Sequence, residues 1–363
     1  MTKLFVYEYL TGGGIDPDLA GEGSLADLSA LIVEGRAMRD ALVADLRALD
    51  GVQVTFASSR FEHVDASLAH CRAMPGEPMS DFVARAAREH DYAWVIAPEC
   101  DGLLRQLHDA VGAARWLGCT PQAIDIASGK RATAERLAAH GIAVTPALSP
   151  EHGNEPGHAE AATAATTAAA RRWVVKPDDG AGGLDTFLFD RFDDASAEYR
   201  ARLAAGRNPV LQAWVDGEPL SLSLVCGAAR AELISINRQQ IGVPDHAAPG
   251  HAERVVEFSG VQVDQIALQS EEGRVLEALA QRVVAALPGL RGFAGIDLVW
   301  HPQRGPVVIE VNPRLTAAYA GLSARLGRNL ARVLLESHGV TVGASATPAS
   351  QCHAGAQACG AAS

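Results

Sequence analysis

Residues Val307 to Gly321 read VVIEVNPRLTAAYAG. Val307, Val308, Ile309 and Val311 are β-branched, so the run reads as a buried strand, yet it carries an acid, Glu310, and an amide, Asn312. Side chains two residues apart leave the same face of a strand. An unpaired carboxylate on a buried face is costly, so this face needs a partner. Upstream, GFAGIDLVW (Gly292 to Trp300) is a second apolar run with Asp297 in its interior, and HPQRG (His301 to Gly305) joins the two at hairpin length. A fold about Gln303 and Arg304 sets Asp297 opposite Glu310. Two carboxylates and an amide oxygen then converge as hard ligands for a small divalent cation that cancels their repulsion, with Mg2+ the natural occupant. Two carboxylates on a solvated sheet face would also fit a hairpin. The nearly unbroken apolar flanks, and Arg314 at the next two-residue step, favour the buried site.

With 363 residues and 48% hydrophobic content, the chain has length and apolar mass for two or three compact units. The balance of 31 basic against 43 acidic residues leaves a net charge of -12, which disfavours nucleic acid and anionic membrane surfaces and turns attention to small molecules. No apolar stretch reaches the roughly eighteen residues of a membrane span. The start, MTKLFVYEYL, runs into a strand rather than a cleavable leader, so a cytoplasmic protein is expected. Cys71, Cys100, Cys119, Cys226, Cys352 and Cys359 are scattered with no CxxC spacing, which argues against a disulfide framework or a zinc site.

Lys3 to Leu10 reads as a strand, Gly23 to Leu49 as a helix of period near 3.6, and Gly51 to Ser58 as the next strand. A further helix (Ser80 to His90), a strand (Tyr92 to Glu99) and a helical segment near Gly102 to Leu117 complete a small doubly wound α/β unit over residues 1–120. Ligands of such a unit lie at the strand C-terminal ends. There TGGGID (Thr11 to Asp16) lacks GxGxxG spacing and a following GK[ST], so it reads as a turn or substrate loop, and Glu99 is a candidate substrate contact. Ala127 to Leu148 reads as a helix ended by Gly141 and then a short strand. Residues 151–170 are an alanine-rich low-complexity insert without an apolar stripe, and 341–363 is a small-residue tail expected to be disordered. Cys352, His353 and Cys359 in that tail are conceivable metal ligands.

Arg172 to Phe189, RWVVKPDDGAGGLDTFLF, holds a strand closing on Lys176, a glycine-rich turn with Gly180, Gly182 and Gly183, and a second apolar strand. A lysine at a strand end, below a loop whose backbone amides can close on anions, is a workable triphosphate clamp. Lys130 opens the helix before this hairpin. Lys130, Lys176 with its glycine loop, Asp297, then Glu310, Asn312 and Arg314, in this order, resemble the ATP-grasp ligases.

The resemblance implies an N-terminal α/β domain (1–120) followed by a two-subdomain ATP-grasp fold, with a lid (121–215) carrying the 151–170 insert, and a catalytic subdomain (216–340). It implies that Lys130 and Lys176 hold the phosphates of ATP, and that Asp297, Glu310 and Asn312 hold Mg2+, with Mn2+ as the alternative. It places the adenine edge on main-chain groups near Trp214 and Val215, with Gln212 adding a side-chain contact. Many members carry a ribose-binding glutamate two residues after the hinge glycine; here Pro219 stands at that step, and Glu218 is the substitute. Arg238 would face the γ-phosphate, and Arg314 with it would stabilise charge during phosphoryl transfer and amine attack. The implied activity is a carboxylate–amine ligase working through an acyl phosphate and releasing ADP and phosphate. VYEYLTGGG, APECDGLL, SINRQQI and NPRLTAAYAGL resemble, more narrowly, the tyramine–glutamate ligases of methanofuran biosynthesis and bacterial relatives that make related one-carbon cofactors. That implies glutamate as donor, Arg238 or Arg314 on its second acid group, and a tyramine-like or tyrosine-like amine as acceptor. A homodimer is expected by analogy alone. A kinase of the same fold, acting on a hydroxyl, and a non-catalytic ATP-binding module stay open; a dehydrogenase ranks last.

Overall fold

The computed structural model describes residues 1–15, 25–150, 170–180, 182–228 and 230–343. Nearly all of the low-complexity insert, the tail beyond Gly343 with its Cys and His residues, and Asp16 lie outside the described residues.

The first unit is built from β1 (Thr2–Glu8), α1 (Leu25–Arg47), β2 (Val52–Ala57), β3 (His70–Cys71), α2 (Met79–Arg88), β4 (Tyr92–Ile96) and α3 (Leu103–Val111). Its sheet runs β3-β2-β1-β4, all parallel. Leu4 to Tyr7 of β1 are buried on both faces, as a central parallel strand requires. Met38, Leu42 and Leu46 of α1, four residues apart, bury one helical stripe against this sheet. The chain moves outward from β1 to β3 and then returns to β4 on the other side. The crevice between the C-terminal ends of β1 and β4 is therefore a topological switch point, flanked by Glu8 and Glu99. The helical reading of Gly102 to Leu117 is too long: α3 stops at Val111 before Gly112, and Trp116 instead bridges to Ala93.

The helix expected from Ala127 begins at Lys130, and a separate short helix precedes it. In α4 (Pro121–Ala127), Thr120 accepts from the Ala123 N–H and Pro121 takes the first turn; α5 (Lys130–Ala138) starts after Gly129, whose backbone is extended. A second sheet follows from β5 (Trp173–Pro177), β6 (Phe187–Phe189), α6 (Phe192–Ala204) and β7 (Pro209–Ala213). Its order is β10-β6-β5-β7, antiparallel, where β10 is the later strand Glu253–Val255. The third sheet uses β8 (Glu218–Cys226), β9 (Ala231–Gly242), β11 (Glu257–Gln262), β12 (Gly292–His301) and β13 (Gly305–Asn312) in the order β11-β9-β8-β12-β13. Strand β10 (Glu253–Val255) leaves this part of the chain to pair with β6. Helices α7 (Glu271–Ala286), α8 (Leu322–Leu326) and α9 (Leu330–Ser337) complete the molecule.

Strands β7 and β8 thus belong to different sheets, and the chain between Ala213 and Glu218 is the crossing between them. Gly217 sits there at φ 153°, where an added Cβ would lie 2.3 Å from the Trp300 carbonyl oxygen. Only glycine lets the crossing pass this close to β12. Packing follows the same division. Apolar residues of the first unit and of the third sheet share continuous cores, whereas Leu148, Trp173, Val175, Phe189, Ala195 and Leu211 form a small core of their own in the second sheet.

Candidate active site

Strands β12 and β13 form the expected hairpin, with Asp297 paired to Glu310 and Gly295 to Asn312. The turn, however, pairs His301 with Gly305, which is one residue off the register a fold about Gln303 and Arg304 requires. A bulge between Asp297 and Leu298 restores it. Glu310 and Asn312 consequently share a face with Asp297. Asn312 donates Nδ2 to Asp297 Oδ2 at 3.2 Å, which keeps its Oδ1 for another partner.

The two lysines reach this face from the start of α5 and the end of β5. The Asp178 carboxylate, just after β5, accepts the Arg131 N–H at 2.8 Å, and its carbonyl accepts the Lys130 N–H at 2.8 Å. These bonds satisfy donors at the start of α5 and fasten it to the β5 end, so Lys130 and Lys176 stand together. Lys130 Nζ lies 3.5 Å from Glu310 Oε2 and donates to the Gly180 carbonyl at 3.2 Å. Burial and the neighbouring Lys130 charge push Lys176 down to about 8, although Glu310 and Asp297 pull the other way.

The carboxylates show the complementary strain. Burial and the Glu310 charge raise Asp297 well above the usual carboxylate range. Burial also penalises the Glu310 charge, but Lys130 and Lys176 outweigh it and hold Glu310 low. The opposed shifts favour one proton held by the pair. Among the described residues no group of three or more His, Cys, Asp or Glu could hold a metal. The donors here are two carboxylates and an amide, a set that suits a hard cation completing its shell with water and phosphate oxygens. Such a cation would also remove the repulsion that pushes Asp297 up, so these residues fit one.

Arg314 continues past β13 into the switch-point crevice of the first unit. Its Nε and Nη2 donate to the two Glu99 oxygens at 2.9 and 3.1 Å, and both side chains are buried. Glu99 therefore positions the arginine, a different task from the substrate contact expected of it. Nη1 donates to the Leu315 carbonyl at 3.3 Å, which leaves further N–H groups on the fork.

One cavity of about 670 Å³ runs along this face, lined by Lys130, Lys176, Gly180, Gly182, Gly183, Gln212, Trp214, Val215, Asp297, Glu310, Asn312 and Arg314. Gln212 lies beneath it and donates to the Thr145 carbonyl at 2.6 Å. The Trp214 N–H is spent on the Arg172 carbonyl at 2.9 Å. Two expected residues fall outside the lining. Arg238 and Glu218 pair with each other, with half-exposed side chains, on the leucine face of the third sheet, where Arg238 lies opposite Leu220. The γ-phosphate role expected of Arg238 and the ribose role expected of Glu218 do not match this placement. The alternation rule contained the signal: Gln239, the next residue, faces the cavity and reaches Asp297, and adjacent strand residues cannot share a face.

Other cavity residues had no signature in the sequence. Glu34 of α1 also lines the cavity, and among the described residues no hydrogen bond or ion pair engages its carboxylate. Burial raises it while Arg314 holds it down. Gly35 beside it packs so tightly on the Glu8 carboxylate that an added Cβ would come within 2.6 Å.

Comparison with known proteins bears on this arrangement. A family profile described as an ATP-grasp domain matches residues 127–318, and one described as pre ATP-grasp 3 domain matches 53–124. The tyramine–L-glutamate ligase of Methanocaldococcus jannaschii is 28% identical over 249 residues, covering 68% of this chain, and that of Methanocaldococcus fervens is equally similar. The matched stretch spans only 62% and 66% of these relatives' own lengths. Among solved structures, an ATP-grasp superfamily protein from Archaeoglobus fulgidus is 22% identical with a TM-score of 0.65, covering 94% of this chain and 89% of its own. An L-amino acid ligase from Bacillus licheniformis, 17% identical, has a TM-score of 0.58 over 93% of this chain and 73% of its own. At these identities the structures speak for the fold alone.

Proposed function

Because the chain belongs to the ATP-grasp family, we propose that it is an ATP-dependent ligase that joins a small carboxylate to a small amine. The observation that carries the reading is the meeting of Asp297, Glu310 and Asn312 with Lys130 and Lys176 along one cavity face. Lys130, Lys176 and the backbone amides of the glycine turn would hold the phosphates of ATP. With the Trp214 N–H engaged, the Trp214 carbonyl and Val215 are the hinge groups left to meet the adenine edge. Asp297, Glu310 and Asn312 would hold Mg2+, or Mn2+ in its place, whose charge offsets that of the phosphates.

In this reading a substrate carboxylate oxygen takes the γ-phosphoryl group and ADP leaves. The amine nitrogen then attacks the acyl carbon, phosphate departs and an amide remains. Arg314, held by Glu99, would direct its remaining N–H groups at a second acid group of the donor or at charge developing on the acyl oxygen. A lid closed over the cavity keeps water from the acyl phosphate. The two Methanocaldococcus ligases point to glutamate as donor and tyramine or a tyrosine-like amine as acceptor, and so to methanofuran-type cofactor synthesis.

The test is ADP release from Mg-ATP over a panel of carboxylates, each with and without amines including tyramine and tyrosine, with mass spectrometry of products. ADP that requires both glutamate and an amine, with a new amide mass, is the expected result. A phosphoester formed without any amine would make the protein a kinase. Turnover with other carboxylates but never glutamate would remove the donor assignment.

A further inference from the structure

The cavity is lined by residues of different character. Lys130, Lys176 and the three oxygen donors line one part of it, and the first unit contributes Glu34 and Cys100, with Glu99 buried behind Arg314. Glu99 is neutralised by its paired contact with Arg314. Glu34 is different. It projects from α1 into the cavity and lacks any hydrogen-bond or ion-pair partner among the described residues. The close fit of Gly35 on Glu8 fixes this turn of α1, since the Glu8 carboxylate is itself tied to Thr11 N, Thr11 Oγ1 and Leu10 N. The charged groups facing Glu34 are Arg314 and, beneath the helix, Glu8; Glu99 acts on it through Arg314.

An amine arrives at neutral pH as an ammonium, which cannot attack until it loses a proton. A carboxylate that lines the same cavity as the phosphate-binding residues, without a hydrogen-bond or ion-pair partner among the described residues, meets both needs. We propose that Glu34 receives the acceptor's ammonium group and accepts its proton before the nitrogen attacks the acyl carbon. The first proton goes from nitrogen to a Glu34 oxygen, the freed lone pair forms the C–N bond, phosphate leaves with the electrons of the broken C–O bond, and the second nitrogen proton departs with the phosphate. Burial, which favours the neutral acid, makes Glu34 a better proton acceptor than an exposed glutamate.

The inference rests on the ligase reading, and its test separates the two. The full chain and its Glu34→Gln and Glu34→Asp variants are assayed with Mg-ATP and L-glutamate, or another carboxylate the wild type accepts, using either hydroxylamine or tyramine as nucleophile. Hydroxylamine is weakly basic and needs no deprotonation, so it reports acyl-phosphate formation alone. Glu34→Gln should keep hydroxamate formation within about threefold while amide formation falls by roughly 100-fold, with partial recovery at higher pH and in Glu34→Asp. Equal loss in both assays, or no loss in either, overturns the assignment. Failure of the wild type to form any hydroxamate or amide across the panel removes the ligase reading and this inference with it.

Discussion

Asp297 and Glu310 sit opposite each other on a buried face, and the repulsion between them is relieved only when a proton or a cation is present. Removing one charge should therefore separate stability from activity. Asp297→Asn is expected to leave the thermal midpoint unchanged or raise it by a few degrees, about the effect of 1 kcal/mol in a chain of this size, while ADP release falls by about a thousandfold. Thermal melts with and without Mg2+ and an ATP analogue check this: wild type should gain stability from the combination and the variant should not. A variant that binds Mg-nucleotide as wild type does would refute the metal assignment. The convergence of these side chains was legible from the sequence because alternation puts Glu310 and Asn312, two residues apart, on one face, and a hairpin sets Asp297 opposite Glu310. Arg238 was misplaced for the same reason, its even-numbered position putting it on the opposite face from Gln239. A second titrating residue had no sequence signal at all. His338 packs edge-on to Trp94, with its Nε2 buried and unpartnered among the described residues, and burial together with Arg291 pushes it down to about 4. Its folded pKa lies below the unfolded value of 6.5, so its contribution is complete above pH 6.5 and is lost as pH falls toward 4. The loss should approach roughly 3 kcal/mol. Denaturant midpoints between pH 7.5 and 5 should fall more steeply in wild type than in His338→Leu. Parallel slopes would show that His338 titrates normally.

Elements that bury a regular apolar pattern were readable, among them β1, α1, β5, β9 and the β12–β13 hairpin, because period and composition agree there. Elements that depend on a partner were not. Strands β10 and β11 lie in the mixed, half-exposed stretch from Glu253 to Gln262 and pair with the edges that β6 and β9 offer. The bulge that sets Asp297 against Glu310 is likewise invisible in composition, since it depends on where the turn closes. Fine fit between elements matters most at Gly295, which lies opposite Asn312 and beneath the loop that follows β13. A Cβ added there would stand 2.8 Å from Thr316 Cγ2 and 3.5 Å from Asn312 Cβ. Thr316 is β-branched and cannot swing its methyl aside freely. Gly295→Ala should thus displace the Asn312 to Thr316 segment, costing about 1–3 kcal/mol, and weaken Mg-nucleotide binding and turnover by at least about tenfold. A chemical-denaturation curve and a nucleotide titration on the same variant decide it. Wild-type nucleotide affinity in a destabilised Gly295→Ala would mean that the oxygen donors tolerate the shift.

At the scale of the whole molecule, no local pattern could say that β7 and β8 belong to different sheets, and that division governs how the molecule can move. The second sheet has a separate small core, whereas the first unit and the third sheet are joined by continuous ones. What ties the second sheet down is slight. The crossing at Gly217, strand β10, and the bonds from Asp178 to α5 hold its root, and at its tip the Asp179 carboxylate accepts the Asp101 N–H at 2.7 Å. Asp101 makes that bond from a left-handed backbone at φ 51°, while an added Cβ on Gly180 or Gly182 would approach Cys100 or Leu31 to 3.4 Å. A body with its own small core, tied to the rest through a few polar contacts, should open at a small fraction of the global unfolding free energy. Amides of β5, β6 and β7 are therefore expected to exchange with deuterium at least about tenfold faster than those of β8 and β12 in the free protein. An ATP analogue with Mg2+, which would bridge Lys176 on the second sheet and Glu310 on the third, should slow them selectively. Asp179→Ala should speed exchange in the free protein and leave β12 untouched. Uniform protection across both sheets, or a nucleotide effect spread evenly over the molecule, would mean instead that the three sheets move as one body and that the cavity admits its substrates without opening.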